Sequence, residues 1–194
     1  MPAMQAHVPG GGAHTGARVR SGRHHRAGAP RDRRCRTNRR GRRRELMAQV
    51  QEIFLPDELY YDRKEHIWAR LEDGVVRVGL DMFGQKAAGT VAYVKLLPAG
   101  RLVPRSRAFG SLEAGKYIGP LKAPVSGEIL GINPLVQATP TLVNTDPYGD
   151  GWFVVLRPTD LEANLAELVH GDAIQAWAED EYREYSEKGM FGEP

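Results

Sequence analysis

The chain has a single cysteine, Cys35, among its 194 residues. This excludes an intramolecular disulfide framework and any metal site made of cysteines alone. Long apolar runs are also missing: no stretch approaches the roughly 18 residues that a membrane-spanning helix requires. There is no Gly-x-Ser-x-Gly, no glycine-rich phosphate loop and no nucleophile beside a base. After residue 46 the only histidines are His66 and His170, and neither has an acidic or cysteine partner at metal-ligand spacing. No catalytic residue and no metal are therefore expected, and His66 reads as a strand histidine that packs or hydrogen-bonds locally.

Residues 1–46 lack Phe, Trp, Tyr, Ile and Lys, yet hold 13 Arg against two acids, a balance of +11. A segment so poor in apolar side chains cannot offset its ordering entropy and reads as disordered. Its arginine clusters suit phosphate, so nucleic-acid binding is one reading. A transit peptide is a second, without an amphipathic face to support it, and a secretory signal lacks its apolar core. A third is a mis-assigned start. Arg42-Arg43-Arg44-Glu45 directly before Met47 can encode a purine-rich ribosome-binding site, and translation from Met47 is the expectation. The remaining 148 residues carry 14 basic and 22 acidic side chains, a net −8. They are expected to form one domain, residues 47–194.

Within that domain the pattern is β-rich. His66-Ile67-Trp68-Ala69-Arg70-Leu71 and Val75-Val76-Arg77-Val78-Gly79-Leu80 flank Asp73-Gly74, a strong hairpin signal. A short helix is expected over residues 81–88, ending at Gly89. Strands follow near residues 90–94, 108–113, 116–122, 126–132 and 151–157. Many short strands with regular punctuation predict a small sandwich or barrel. Thr159-Asp160-Leu161-Glu162 fits a capping box opening a helix with Leu161, Leu165 and Leu168 on one stripe. Asp172 is placed as the cap of a second helix with Ile174, Trp177 and Ala178 on one face.

Two β-rich runs meet around residues 113–116, which puts Lys116 at a hairpin tip in water. Glu113-Ala114-Gly115-Lys116 is followed eight residues after the lysine by Pro124-Val125-Ser126-Gly127-Glu128. With His66-Ile67-Trp68, Val78-Gly79-Leu80 and Leu142-Val143-Asn144-Thr145-Asp146-Pro147-Tyr148-Gly149-Asp150-Gly151-Trp152, this resembles the glycine cleavage system H protein family, lipoyl carriers. The resemblance runs from about Leu59 to the second terminal helix.

The resemblance implies a mainly β fold, a lipoyl-type barrel-sandwich hybrid of two small antiparallel sheets with a short N-terminal helix and C-terminal helices. It implies covalent lipoate on Lys116, in a lipoylation-recognition turn that includes Glu113, Gly115 and Tyr117, with Gly115 relieving the turn sterically. The protein would shuttle an aminomethyl group between the decarboxylase, aminomethyltransferase and dihydrolipoyl dehydrogenase components, after modification by a lipoylating enzyme. It would be a cytoplasmic monomer and not an enzyme.

The turn departs from the family where Gly115 replaces valine and Tyr117-Ile118-Gly119-Pro120 follows the lysine. Gly-Lys-aromatic-x-Gly-Pro is also similar to lipoate-binding carriers of heterodisulfide-reductase-like sulfur oxidation, in which the arm would carry sulfur. A biotin carrier would place methionines on both sides of the lysine. Arg101, Arg105 and Arg107 give the loop before the hairpin a basic character that the family lacks.

Overall fold

The computed structural model describes residues 47–191, so the reading of the Arg-rich segment 1–46 lies outside the described residues. The first described elements form a hairpin, β1 (Met47–Val50) and β2 (Ile53–Pro56). Strands β3 (Tyr60–Asp62), β4 (Ile67–Glu72) and β5 (Val75–Leu80) run as a meander. Asp73 and Gly74 both take positive φ, +47° and +81°, which matches the turn to the strand twist. Helix α1 (Met82–Ala88) follows, its first turn capped by Asp81, whose carboxylate accepts from the Gly84 N–H.

Then come β6 (Val91–Leu96), β7 (Leu102–Val103), β8 (Ala108–Ala114), β9 (Tyr117–Lys122) and β10 (Gly127–Ile132). Two short helices, α2 (Pro134–Ala138) and α3 (Leu142–Thr145), precede β11 (Val154–Pro158). The last described elements are α4 (Leu161–Leu165), β12 (Val169–His170) and α5 (Ala173–Glu187).

All the strand pairs are antiparallel. They form a two-stranded sheet β1-β2, a seven-stranded sheet β12-β3-β4-β5-β11-β10-β7 and a three-stranded sheet β6-β8-β9. The alternation along β4 shows how the layers share residues. Ile67 and Ala69 belong to a core with Val78, Leu112, Phe109, Phe153 and Ile129, between the large and the three-stranded sheet. Trp68, between them, points to the other side, into a second core with Ile53, Leu55, Tyr61, Phe83 and Trp177 under α5. Strand β4 is thus covered on both faces, and its first three residues are all buried.

The fold is mainly antiparallel β with a few helices, as expected, and it differs in detail. Three sheets stand in place of two, and the short helix lies between β5 and β6, preceded by five strands. The hairpin at 47–56 has no period that separates it from a loop; it is a strand pair because α5 covers it, burying Ala48, Ile53 and Leu55. The capping box is not formed: α4 is one turn long, and Asp160 at its start makes no side-chain cap bond. The segment is held instead by tertiary bonds, with Asn164 Oδ1 accepting from the Ser126 N–H at 2.6 Å and Thr159 N–H donating to the Ser126 carbonyl. Asp172 likewise starts α5 without a side-chain cap bond.

Several motif residues meet far from their sequence neighbours. Trp68 pairs with Gly79 across β4 and β5, and a methyl at Gly79 would stand 2.4 Å from the indole. The indole N–H donates to the Pro147 carbonyl at 3.0 Å. Glycine is required at 79 because the ring occupies the space where a side chain would be.

Candidate functional site

Register Ala114↔Tyr117 leaves Gly115 and Lys116 as a two-residue connection between β8 and β9. Both backbone donors of the connection are used: Gly115 N–H donates to the Thr90 carbonyl at 3.0 Å and Lys116 N–H to the Ala88 carbonyl at 2.8 Å. The second bond satisfies one of the carbonyls that the end of α1 leaves without an intrahelical partner. The Lys116 side chain is exposed and has no ion pair among the described residues. Glu113 is exposed on β8, with Tyr93 and Ile118 directly opposite it on β6 and β9 and themselves 53% and 77% exposed.

The steric relief expected from Gly115 is not what the turn uses. A Cβ on Gly115 would meet nothing within 4 Å, and its φ is not positive. The left-handed residue is Gly89, at φ +81°, on the facing loop, where a Cβ would lie 3.7 Å from Lys116 Cγ. Tyr117, 42% exposed, folds its ring back over Gly119, where a methyl would clash with the phenol, and its hydroxyl donates to the Pro120 carbonyl at 3.3 Å. Tyr117 and Gly119 are therefore one packing unit.

The facing loop is fixed from behind. Asn144 Oδ1 accepts from the Val91 N–H at 2.9 Å, and its amide donates to the Gly89 carbonyl at 3.0 Å. One side chain of the Leu-Val-Asn-Thr-Asp-Pro-Tyr-Gly motif thus holds residues 89–91, and residues 88–90 hold the Lys116 turn. Asn144→Ala should cost about 1–3 kcal/mol by leaving two backbone groups unpaired. It should also loosen the Lys116 turn more than an equally destabilising substitution remote from it. Denaturant unfolding alongside hydrogen exchange of the Gly115 and Lys116 amides separates the two effects, and exchange that follows stability alone would refute a positioning role.

Lys116 itself lines a cavity of about 290 Å³, together with Leu80, Ala88, Leu112, His66, Tyr185 and Met190. The lining also includes the pair Lys122 Nζ–Glu65 Oε1 at 2.9 Å, which raises the pKa of Lys122. Lys122 is thus engaged, whereas Lys116 is presented.

His66 is not a strand residue. It precedes β4 at φ +54°, and its carbonyl accepts from the Asp81 N–H. Its ring is buried between elements distant in sequence. Nδ1 lies 3.3 Å from Asp81 Oδ2, and Nε2 lies 2.6 Å from the Tyr185 hydroxyl and 3.5 Å from Glu181 Oε1. Burial pulls its pKa down, but the Asp81 carboxylate and then Glu181 outweigh burial and raise it to about 10. The imidazolium donates from both nitrogens. Spacing could not reveal these partners, since they stand 15, 115 and 119 residues away.

Residues 101–107 lie at the opposite end of β8 from Lys116. Arg105 there donates from Nε to the Pro124 carbonyl at 3.1 Å, and its backbone N–H donates to Ser126 Oγ. Those bonds are structural ties between the loop and the Pro-Val-Ser-Gly turn.

A rigid β scaffold that presents one lysine on a backbone-anchored hairpin turn is the form of a carrier domain. The family model for the glycine cleavage H-protein matches residues 59–181, and the chain belongs to that family. It is 41% identical over 128 residues to glycine cleavage system H protein 3 of Aquifex aeolicus, covering 64% of this chain and 80% of that protein. A probable glycine cleavage system H protein of Thermococcus kodakarensis is 41% identical over 134 residues, 69% of this chain and 96% of the relative. Among solved structures, a glycine cleavage system H protein from Mycobacterium marinum superposes with a TM-score of 0.52 at 32% identity, over 54% of this chain and 87% of that one.

Proposed function

We propose that Lys116 carries lipoate in amide linkage and that the chain is the lipoyl carrier of a glycine cleavage system. The observation that carries this reading is the Lys116 turn: an exposed lysine, anchored by backbone bonds only, within the family match and beside a cavity. The residues present suit such a group. Acylation removes the lysine charge, which no ion pair among the described residues requires, and Leu80, Ala88 and Leu112 offer an apolar wall to the end of a flexible arm. Lipoate would supply a reversible disulfide that accepts an aminomethyl group and is afterwards reoxidised.

This chain's own residues present and orient the arm, so the protein is a substrate of other enzymes and not an enzyme itself. Its partners in this reading are a lipoylating enzyme and the decarboxylase, aminomethyltransferase and dihydrolipoyl dehydrogenase components. Tethering to a short flexible link keeps the reacting group at an effective concentration in the millimolar range. Glu113, between Tyr93 and Ile118, is placed to be read by the lipoylating enzyme. The domain would work in the cytoplasm; among the described residues no helix is long and apolar enough to cross a membrane.

The relatives matched are named for glycine cleavage and do not favour the sulfur-carrier alternative. Peptide mass spectrometry of the protein from its native host tests the proposal. One lipoyl group on the Lys116 peptide is expected. A lipoyl group on Lys122, or none in a host that lipoylates other proteins, would overturn it.

A further inference from the structure

Strand β6 does not alternate. Val91 is buried, Ala92 and Tyr93 are both exposed, and Val94 is buried again. The cause is a bulge. Val91 stands opposite Ala114 on β8, and Tyr93 stands opposite the adjacent Glu113, so that Ala92 is the extra residue. Without it Tyr93 would share the side of Val91 and fall in the core with Leu112; the bulge turns the ring to the outer side. Across the hairpin, Ile118 on β9 also stands opposite Glu113. Neighbouring strands lie about 4.8 Å apart, so Glu113 sits between an aromatic and an aliphatic side chain whose strands are roughly 10 Å from each other. Tyr93 is 53% and Ile118 77% exposed. Glu113 forms no ion pair with another described residue.

We infer that Tyr93 and Ile118 form an apolar clamp around Glu113 on which the enzyme that acylates Lys116 docks, through apolar side chains and one cation directed at the Glu113 carboxylate. The inference rests on the acylation of Lys116 proposed above. Two features fix the occupant. Ile118 is two strand residues from Lys116, about 7 Å along β9, so an enzyme that closes on the lysine amine also lies over this row. The carboxylate is unpaired between two apolar groups, and the cation on the same face, Lys95, stands opposite Ser111 in the next row. A partner's cation is therefore the complement that Glu113 lacks. The flanking ring and aliphatic chain would exclude water from that ion pair, which makes it worth more than an exposed one. On its other side the turn is taken up by the chain itself, where the Gly115 and Lys116 N–H groups donate to the Thr90 and Ala88 carbonyls.

The test is steady-state acylation of the full unmodified chain by a lipoylating enzyme supplied with lipoate and ATP. Tyr93→Thr and Ile118→Thr keep β-branched side chains that suit a strand. Each should raise KM for the chain about tenfold, with kcat within about twofold. Tyr93→Phe keeps the ring and should stay near the parent value. Leu102→Thr is the control: Leu102 is 68% exposed on β7, in the loop region remote from Lys116, and its loss should leave KM unchanged. Thermal unfolding checks that each variant is folded.

A second readout needs no turnover. In the Lys116→Arg chain the amide NMR signals of residues 93, 113 and 118 should shift or broaden as the enzyme is added, while that of residue 102 stays in place. Unchanged KM in both threonine variants, or signals that move only around Gly89, would overturn the inference. So would concentration-dependent shifts at residues 93 and 118 in the chain alone, which would make a second copy the occupant. If Lys116 stays unmodified in the parent chain, the proposed function falls and the docking inference with it. Normal acylation with an unmoved KM sinks the docking inference alone.

Discussion

Lys116→Arg will leave the domain folded and abolish acylation. The side chain is in water, and only its backbone N–H is structural, donating to the Ala88 carbonyl. That bond survives any residue except proline. The expected change in stability is within about 0.5 kcal/mol, as for other exposed positions free of special contacts. The guanidinium keeps the positive charge, but it stays protonated at any accessible pH and offers no amine to the acylating enzyme. Intact mass after co-expression with a lipoylating enzyme should show full modification of the parent chain and none of the variant. Lys122→Arg is the matched control: it keeps a cation opposite Glu65 and should be acylated at the parent rate. Acyl groups on Lys122 in Lys116→Arg would place the site elsewhere on the hairpin.

Stability should fall as the pH rises from about 7 to 10, and His66 should be responsible for much of the slope. Its folded-state pKa is about 10, against roughly 6.5 in an unfolded chain. The raised value means that the folded state binds the extra proton. The contribution is complete below the unfolded pKa and is lost as the pH passes through 10, at up to about 1.4 kcal/mol per pH unit. The facing groups hold their states over this range. Burial raises Glu181, but the His66 hydrogen bond and charge outweigh it and keep the carboxyl below its usual value, hence ionised. Burial pushes the Tyr185 phenol up, so it stays protonated. His66→Gln should flatten the profile between pH 7 and 9.5, whereas Asp81→Asn should cost about 3–5 kcal/mol at neutral pH by leaving a buried cation without its carboxylate. Urea unfolding at stepped pH measures both, and equal slopes in the parent and His66→Gln would remove His66 as the cause.

The position of Lys116 at a hairpin tip is legible because a turn is a local event, whereas its role comes only from the resemblance. Gly115 and Lys116 sit between two β-rich runs, and the Pro124 turn stands at a fixed distance along the same hairpin. The Asp73-Gly74 hairpin was legible for the same reason. Residues whose partners come from the other end of the chain were not. Asp81 reads as the first residue of a short helix and in the structure caps it, yet its second role, as counter-ion of His66, has no sequence trace. Asn144 reads as part of a motif whose purpose shows only when residues 89–91 stand beside it. Gly115 reads as the residue that relieves the turn, yet the conformational freedom lies in Gly89, on the opposite loop, and chain order gives no sign that the two are neighbours. Thr159-Asp160-Leu161-Glu162 has the letters of a capping box, and tertiary bonds from Asn164 and Thr159 to Ser126 shape that turn instead.

Because the Lys116 turn is fastened only through main-chain N–H groups, residue 116 is a socket whose contents the fold does not read. A non-natural amino acid bearing an alkyne, a spin label or a photocrosslinker could be genetically encoded there without disturbing either core. The same scaffold would then report, chemically or spectroscopically, on whatever surface approaches the arm's root, as a probe in place of a carrier.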